Sequence, residues 1–188
     1  MKNLVDLLWE KVKPYANFKM IVLLFLLSQI IYTFMLRVSI PAIVSTGGEQ
    51  IFDMSPSGYS YEYAVAFIHG LSNDSLNMYL KGQLILDLFY PLFIGSFGLL
   101  AMLTLARRDS IEKYFVLLPL IAISFDYLEN YFVFNMLTHP NELTLRLVTV
   151  ASNVTILKSI FYSLFLTIVL ILYVRSIFQS THRNRSKS

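Results

Sequence analysis

No cysteine occurs among the 188 residues. Disulfides, thiolate metal sites and a cysteine nucleophile are therefore excluded. Tryptophan occurs once, as Trp9, and histidine three times, as His69, His139 and His182. All three histidines fall outside the long apolar runs, so a haem or zinc site built from intramembrane histidines has no ligands. Charge is scarce as well, with Asp, Glu, Lys and Arg making up 14% of the chain. No Ser-His-Asp order, phosphate loop or glycine fingerprint appears, and no repeat is present. No cofactor and no metal site is expected.

What fills the chain is hydrocarbon: 56% of residues are hydrophobic and the mean hydropathy is +0.60. Four apolar runs stand out, at residues 20–36 (extending to 44), 83–106, 114–137 and 147–178. Each is long enough for a membrane-spanning helix and exceeds the ~10 residues of a barrel strand. The expectation is an all-α, polytopic membrane protein, a single four-helix transmembrane domain. The first run is too long for the apolar core of a signal peptide, and no small-x-small cleavage site follows it.

Basic residues set the expected orientation. Lys2, Lys11, Lys13, Lys19, Arg107, Arg108, Lys113, Arg175, Arg183, Arg185 and Lys187 are 11 of the 15 lysines and arginines, and all fall on one side of a four-span topology. The other side holds Arg37, Lys81 and Arg146 with five acids, Glu49, Asp53, Glu62, Asp74 and Glu142. The positive-inside rule then places both termini in the cytoplasm of a plasma or inner membrane protein. The net charge of +3 reads as a topology signal, so no nucleic-acid partner is expected.

Residues 1–18 read as an interfacial helix, with Val5, Leu8, Trp9 and Val12 at helical spacing and Pro14 as its stop. Residues 45–82 form the one long loop, on the outer side. Ser60 is a candidate N-cap for a helix with Tyr61, Ala64, Val65, Phe67 and Ile68 on its apolar face, ending at Gly70. Ser72 or Asn73 then caps a helix that can run into the second span. Such a loop is either a lid over the bundle's outer mouth or a connector resting on headgroups. Residues 179–188 form a basic tail.

The informative residues are those out of place. Asp87, Asp126, Glu129 and Lys158 lie inside the apolar runs, where a charge is costly and marks an interior or watery site. Asp126, Glu129 and Asn130 share a face of span three, and Asp87 and Tyr90 share one of span two beside Pro91. On span four, Ser152, Thr155, Ser159 and Tyr162 form a stripe with Lys158 on its flank. All fall in the outer half of the bilayer, with Asp126 and Glu129 roughly 10–16 Å below its edge at the rise of a helix. Gln29, Tyr32 and Thr33 are the polar residues of span one. Three acids against one lysine leave surplus negative charge, to be met by a proton, a cation or Arg37. Asp126 and Glu129 are the candidate acid–base pair, and Asp87, Tyr90, Asn130, Thr155, Lys158 and Ser159 the candidate ligand-binding residues.

The string Phe125-Asp126-Tyr127-Leu128-Glu129-Asn130, with Asp87 and Tyr90-Pro91 before it and Lys158 after it, resembles small four-span bacterial membrane proteins of unknown function. That resemblance covers most of the chain and implies a fold but no activity. More loosely, the four spans, long first outer loop, acid shortly before a proline (Asp87, Pro91) and basic tail resemble the EXPERA superfamily. This second resemblance implies an acid-lined membrane cavity for sterols and cationic amphiphiles. The chain departs from it in having no tryptophan beyond Trp9 and no histidine in an isomerase position.

Three functions remain open on the sequence. The chain binds a lipid or amphiphilic small molecule in an outward-facing polar pocket; or it is an enzyme using Asp126 and Glu129 on a lipid; or it is an accessory subunit packed against a membrane-protein partner or a second copy. Against all three stands simple adhesion, in which the polar residues only hold helices together.

Overall fold

The computed structural model describes residues 3–47 and 50–185, and the side chains of 45–47 and 181–185 are outside that description. Among the described residues six longer helical segments follow one another, α1 (residues 4–15), α2 (Phe18–Val44), α3 (Tyr61–Gly70), α4 (Asn73–Leu105), α5 (Ile111–Thr138) and α6 (Leu145–Arg185), with single 3-10 turns at Phe52–Met54 and Pro140–Glu142. Four of them, α2, α4, α5 and the Leu145–Ser180 part of α6, are long and apolar enough to cross a membrane. The protein is an all-α polytopic bundle. The basic tail at residues 179–188 continues α6 in helical form as far as Arg185.

Local chemistry sets the helix starts. Asn17 accepts a hydrogen bond from Met20 N at 3.0 Å, opening α2. Ser60 and Ser72 do the same for α3 and α4, through Tyr63 N and Ser75 N. In each case a short polar side chain satisfies an N–H that the first turn leaves unpaired. From Ser72 the helix runs on without a break into the second span.

Among the described residues three helices contain a widened π turn, α1 at Leu8–Val12, α2 and α4, and in the last two it has a purpose. In α2 the turn at Met35–Ser39 precedes Pro41, which has no N–H to return to the Arg37 carbonyl, and the turn absorbs the mismatch. In α4 the turn at Tyr79–Gln83 lies just before Asp87. A regular helix turns about 40° past a full circle every four residues. The extra residue per turn offsets that drift, so Tyr79, Gln83 and Asp87 all point inward and are buried.

Packing runs α2–α4–α5–α6, with α6 also lying against α4. Gly98 is where α4 meets α6: a Cβ there would come within 2.7 Å of the Phe165 ring. Two apolar cores result. One, at the end carrying both termini, gathers Trp9, Met102, Leu103, Val116, Phe165 and Leu172. The other, at the loop end, gathers Ile43, Phe52, Phe67, Tyr79, Met136 and Ala151.

The amphipathic face of α1 is spent on protein. Val5, Leu8 and Trp9 are buried in the core at the terminal end, and Trp9 Nε1 donates to the Lys113 carbonyl at 3.5 Å. This face is packed against the ends of α4 and α5, while Leu4 and Leu7 of the same helix stay exposed. The long loop is likewise packed. Ile51 and Phe52 are fully buried, and the Phe52 ring meets Tyr59, Phe67 and Tyr79 at centroid distances of 4.7, 5.0 and 6.4 Å. Gly58 makes this docking work. Its φ of +80° lies in the left-handed region, and a Cβ would sit 2.5 Å from Ser152 Oγ on α6.

Candidate functional site

A polar layer separates the two apolar cores. It is built from Gln83, Asp87 and Tyr90 on α4, Asp126 and Glu129 on α5, and Thr155, Lys158, Ser159 and Tyr162 on α6. Asp87, Asp126 and Glu129 are 4%, 3% and 0% exposed. Helical periodicity brings them together, since the residues are three or four apart on three helices that face one another.

Within the layer the roles divide. Glu129 forms an ion pair with Lys158 through Oε2, and its Oε1 has no partner among the described residues. Asp87 accepts from Gln83 Nε2 at 2.9 Å, while Gln83 Oε1 is unpartnered. Asp126 has Lys158 and Tyr162 as polar neighbours, and the Tyr162 hydroxyl approaches it without hydrogen-bond geometry. Ser159 Oγ donates to the Thr155 carbonyl at 2.9 Å, and Thr155 Oγ1 donates to the Ala151 carbonyl at 3.3 Å.

Asn130 has a specific structural task. Pro91 cannot donate to the Asp87 carbonyl four residues earlier, which leaves that carbonyl open inside the bundle. Asn130 Nδ2 supplies the missing hydrogen bond from α5 at 3.0 Å. One turn away, the Tyr127 hydroxyl donates to the Leu88 carbonyl at 2.8 Å. These two bonds stitch α5 to the proline bend of α4.

A cavity of about 180 Å³ opens in the layer. Its walls include Asp87, Tyr90, Asp126, Lys158 and Ser159, five of the eight residues singled out from the sequence. Glu129 stands behind Lys158, Asn130 faces an apolar groove between α4 and α5, and Thr155 is bonded to its own helix. The proposed pairing of the cluster with Arg37 does not form: Arg37 lies on an exposed face of α2 beside Gln29 and Thr33.

Two further groups complete the cavity. Asp53, from the docked loop, lines it with Met54. Its Oδ2 accepts from the Tyr79 hydroxyl at 2.8 Å, and its Oδ1 is buried without a partner. Tyr32 on α2, Tyr90 on α4 and Tyr162 on α6 form a row, with ring centroids 5.6 and 6.4 Å apart and planes 27° and 20° from parallel. The layer thus carries four carboxyl groups around one lysine. Among the described residues no three acidic or histidine side chains gather at metal-ligating spacing.

The loop that carries Asp53 is tied to α6. Tyr59 N donates to Ser152 Oγ at 2.8 Å, so Ser152 anchors the loop. The Tyr59 hydroxyl is buried near Thr155, and burial pushes it well above its ordinary pKa, so it stays a neutral phenol. A further depression of about 300 Å³ is lined by the loop residues Gln50, Ser55, Gly58 and Tyr63. No protein-family model, curated protein or solved structure matches this chain.

Proposed function

We propose that the protein binds a lipid-like or amphiphilic small molecule, with its polar head in the cavity of the polar layer. The observation that carries this reading is the imbalance of the site. Asp53, Asp87 and Asp126 border the cavity, the one lysine there is paired with Glu129, and the buried Gln83 Oε1 has no hydrogen-bond partner. A buried polar group without a partner costs about 1–3 kcal/mol. A cluster kept only for adhesion has no reason to bear that cost beside a cavity, whereas a ligand head placed there supplies the missing partners. The acid–base enzyme reading rests on Asp126 alone, since Glu129 is engaged by Lys158.

The basic residues on one side of the spans support a plasma or inner membrane location with both termini in the cytoplasm and the loop outside. Cysteines introduced singly at Ser57 and Ser186 of this cysteine-free chain are expected to react with an impermeant reagent from opposite sides. Labelling from one side contradicts that orientation.

The binding reading is tested by native mass spectrometry of the protein in mild detergent. An amphiphile is expected to remain bound to the wild type and to be lost from Asp126→Asn. Retention of the same molecule by that variant, or stoichiometric recovery of another membrane protein in place of a small molecule, overturns the assignment.

A further inference from the structure

We propose that the outward face of α2 is a docking surface for a membrane-spanning helix of another protein, one that carries a carboxylate level with Arg37. The surface lies apart from the polar layer and does not rest on the reading of the cavity.

α2 is the span held least by its own bundle. Over its most apolar stretch 11% of its residues are buried, against 44%, 39% and 22% in α4, α5 and α6. It packs chiefly along α4. On its outward side runs a groove of about 510 Å³, and among the described residues every one that lines it, from Leu26 to Val38, belongs to α2. The groove beside α5 and the one beside α6 are each walled by two or more helices. The α2 groove has a single wall, and a second helix laid along it would supply the other.

The pattern of this face is that of a helix seam. Leu26, Ile30, Thr33 and Arg37 follow one another at spacings of four, three and four, the heptad rhythm by which two helices mesh their side chains. Leu26, Ile30 and Phe34 are 52%, 65% and 50% exposed. Between them Gln29, Thr33 and Arg37 form one polar stripe at intervals of four residues. Arg37 makes no ion pair or hydrogen bond with any described residue. Gln29 Nε2 donates to Ser28 Oγ at 3.3 Å, and its Oε1 accepts from no described residue.

Depth favours a helix over a lipid as the occupant. Gln29 sits two residues from the middle of the 27-residue span, about 3 Å along the helix axis. Lipid headgroups do not reach the middle of a core about 30 Å thick, and acyl chains offer neither donor nor acceptor there. A partner helix offers both, since amide and hydroxyl side chains hydrogen-bond across helices in membranes. Arg37 lies six residues past the middle, about 9 Å out and still within the core. A cation at that depth pairs with a carboxylate. A second copy fits less well, because a closed twofold pair sets the same residues opposite each other and brings Arg37 against Arg37. The partner therefore carries an acid level with Arg37 and a hydrogen-bonding side chain about two turns deeper, level with Gln29.

The test co-expresses the full chain with a tagged single-span helix of leucine and alanine. Lysines at one end orient that helix as the basic residues orient this chain. It carries a glutamine near its centre and a glutamate as far outward from it as Arg37 is from Gln29. Pull-down in mild detergent is expected to recover it with the full chain roughly tenfold more efficiently than the same helix with glutamine in place of the glutamate. Arg37→Glu is expected to reverse the preference, rejecting the glutamate helix and retaining one with lysine at that place. Ile30→Trp, in the seam, is expected to abolish recovery, and Ile160→Trp, exposed on α6, to leave it intact, both with unchanged thermal midpoints. Equal recovery of the glutamate and glutamine helices overturns the acidic partner. Recovery of a second, differently tagged copy of this chain, lost on Ile30→Trp, overturns the proposal in favour of self-association. Recovery of neither helix, with anionic phospholipid that Arg37→Leu releases, assigns the groove to lipid and overturns the docking surface, as does recovery of nothing at all. Each of these outcomes leaves the cavity reading to its own test with Asp126→Asn.

Discussion

Two ion pairs join α5 to α6, one at the terminal end of the bundle and one in the polar layer between the apolar cores, and the two are built differently. At the terminal end, Arg175 grips Glu112 through two bonds of 2.5 and 3.0 Å and donates to the Leu105 carbonyl at 3.0 Å. The charges match one to one, the side chains are 28% and 17% exposed, and Glu112 also accepts from Arg107 N. This is what adhesion looks like. In the polar layer, Lys158 and Glu129 are 12% and 1% exposed, three further carboxyl groups crowd round, and Gln83, Glu129 and Asp53 each keep an oxygen without a partner. A cation–carboxylate pair is closed and satisfied in one place, and open and crowded by further carboxyl groups in the other. The second borders a cavity.

The largest expected effect is on Lys158. Lys158→Met leaves Glu129 charged and fully buried with no cation, a loss of about 3–5 kcal/mol. Adding Glu129→Gln should recover most of it. Arg175→Met, at the half-open pair, should cost about 1 kcal/mol. Thermal unfolding in one detergent measures all three, and equal losses at the two pairs would erase the distinction between them.

Next comes the loop. Gly58→Ala places a side chain in a left-handed conformation and against Ser152, and should cost about 1–2 kcal/mol. It should also expose a cysteine placed at Asp53 to a water-soluble thiol reagent. A cysteine there that reacts equally fast with Gly58 intact would mean that the loop is no closure. A smaller loss, about 1 kcal/mol, is expected for Asn130→Ala, which reopens the Asp87 carbonyl. Changing Pro91 to Ala in the same chain should make that loss smaller still, since the helix then supplies its own donor.

Much of this arrangement is legible in the sequence, for identifiable reasons. Helical spacing alone puts Asp87, Asp126, Glu129 and Lys158 on facing sides, because a charge inside an apolar run has few places to go. Serine caps mark the starts of α3 and α4. Asn130 could have been read more fully: Pro91 lies four residues after Asp87, so the freed carbonyl is written into the chain. Asp53 was not legible, because an acid in a long loop is normally solvated. Only the adjoining Ile51-Phe52 pair hints that the segment turns inward. Nor does the apolar stripe of α1 reveal its partner, since lipid and protein accept the same side chains. Arg37 shows the opposite limit: charge balance suggested a partner that the fold directs elsewhere.

The smallest expected change in stability is the most telling. At the terminal end, removing a charge removes a bond. In the polar layer, neutralising Asp126 relieves surplus negative charge, and functional sites give up stability for their task in this way. The decisive measurement is the thermal midpoint of Asp126→Asn beside the wild type, with bound small molecules assayed in the same samples. The account predicts a midpoint equal to or above that of the delipidated wild type, together with loss of the bound amphiphile. A clear drop in midpoint with no bound molecule in either protein would contradict it and make the polar layer adhesion alone.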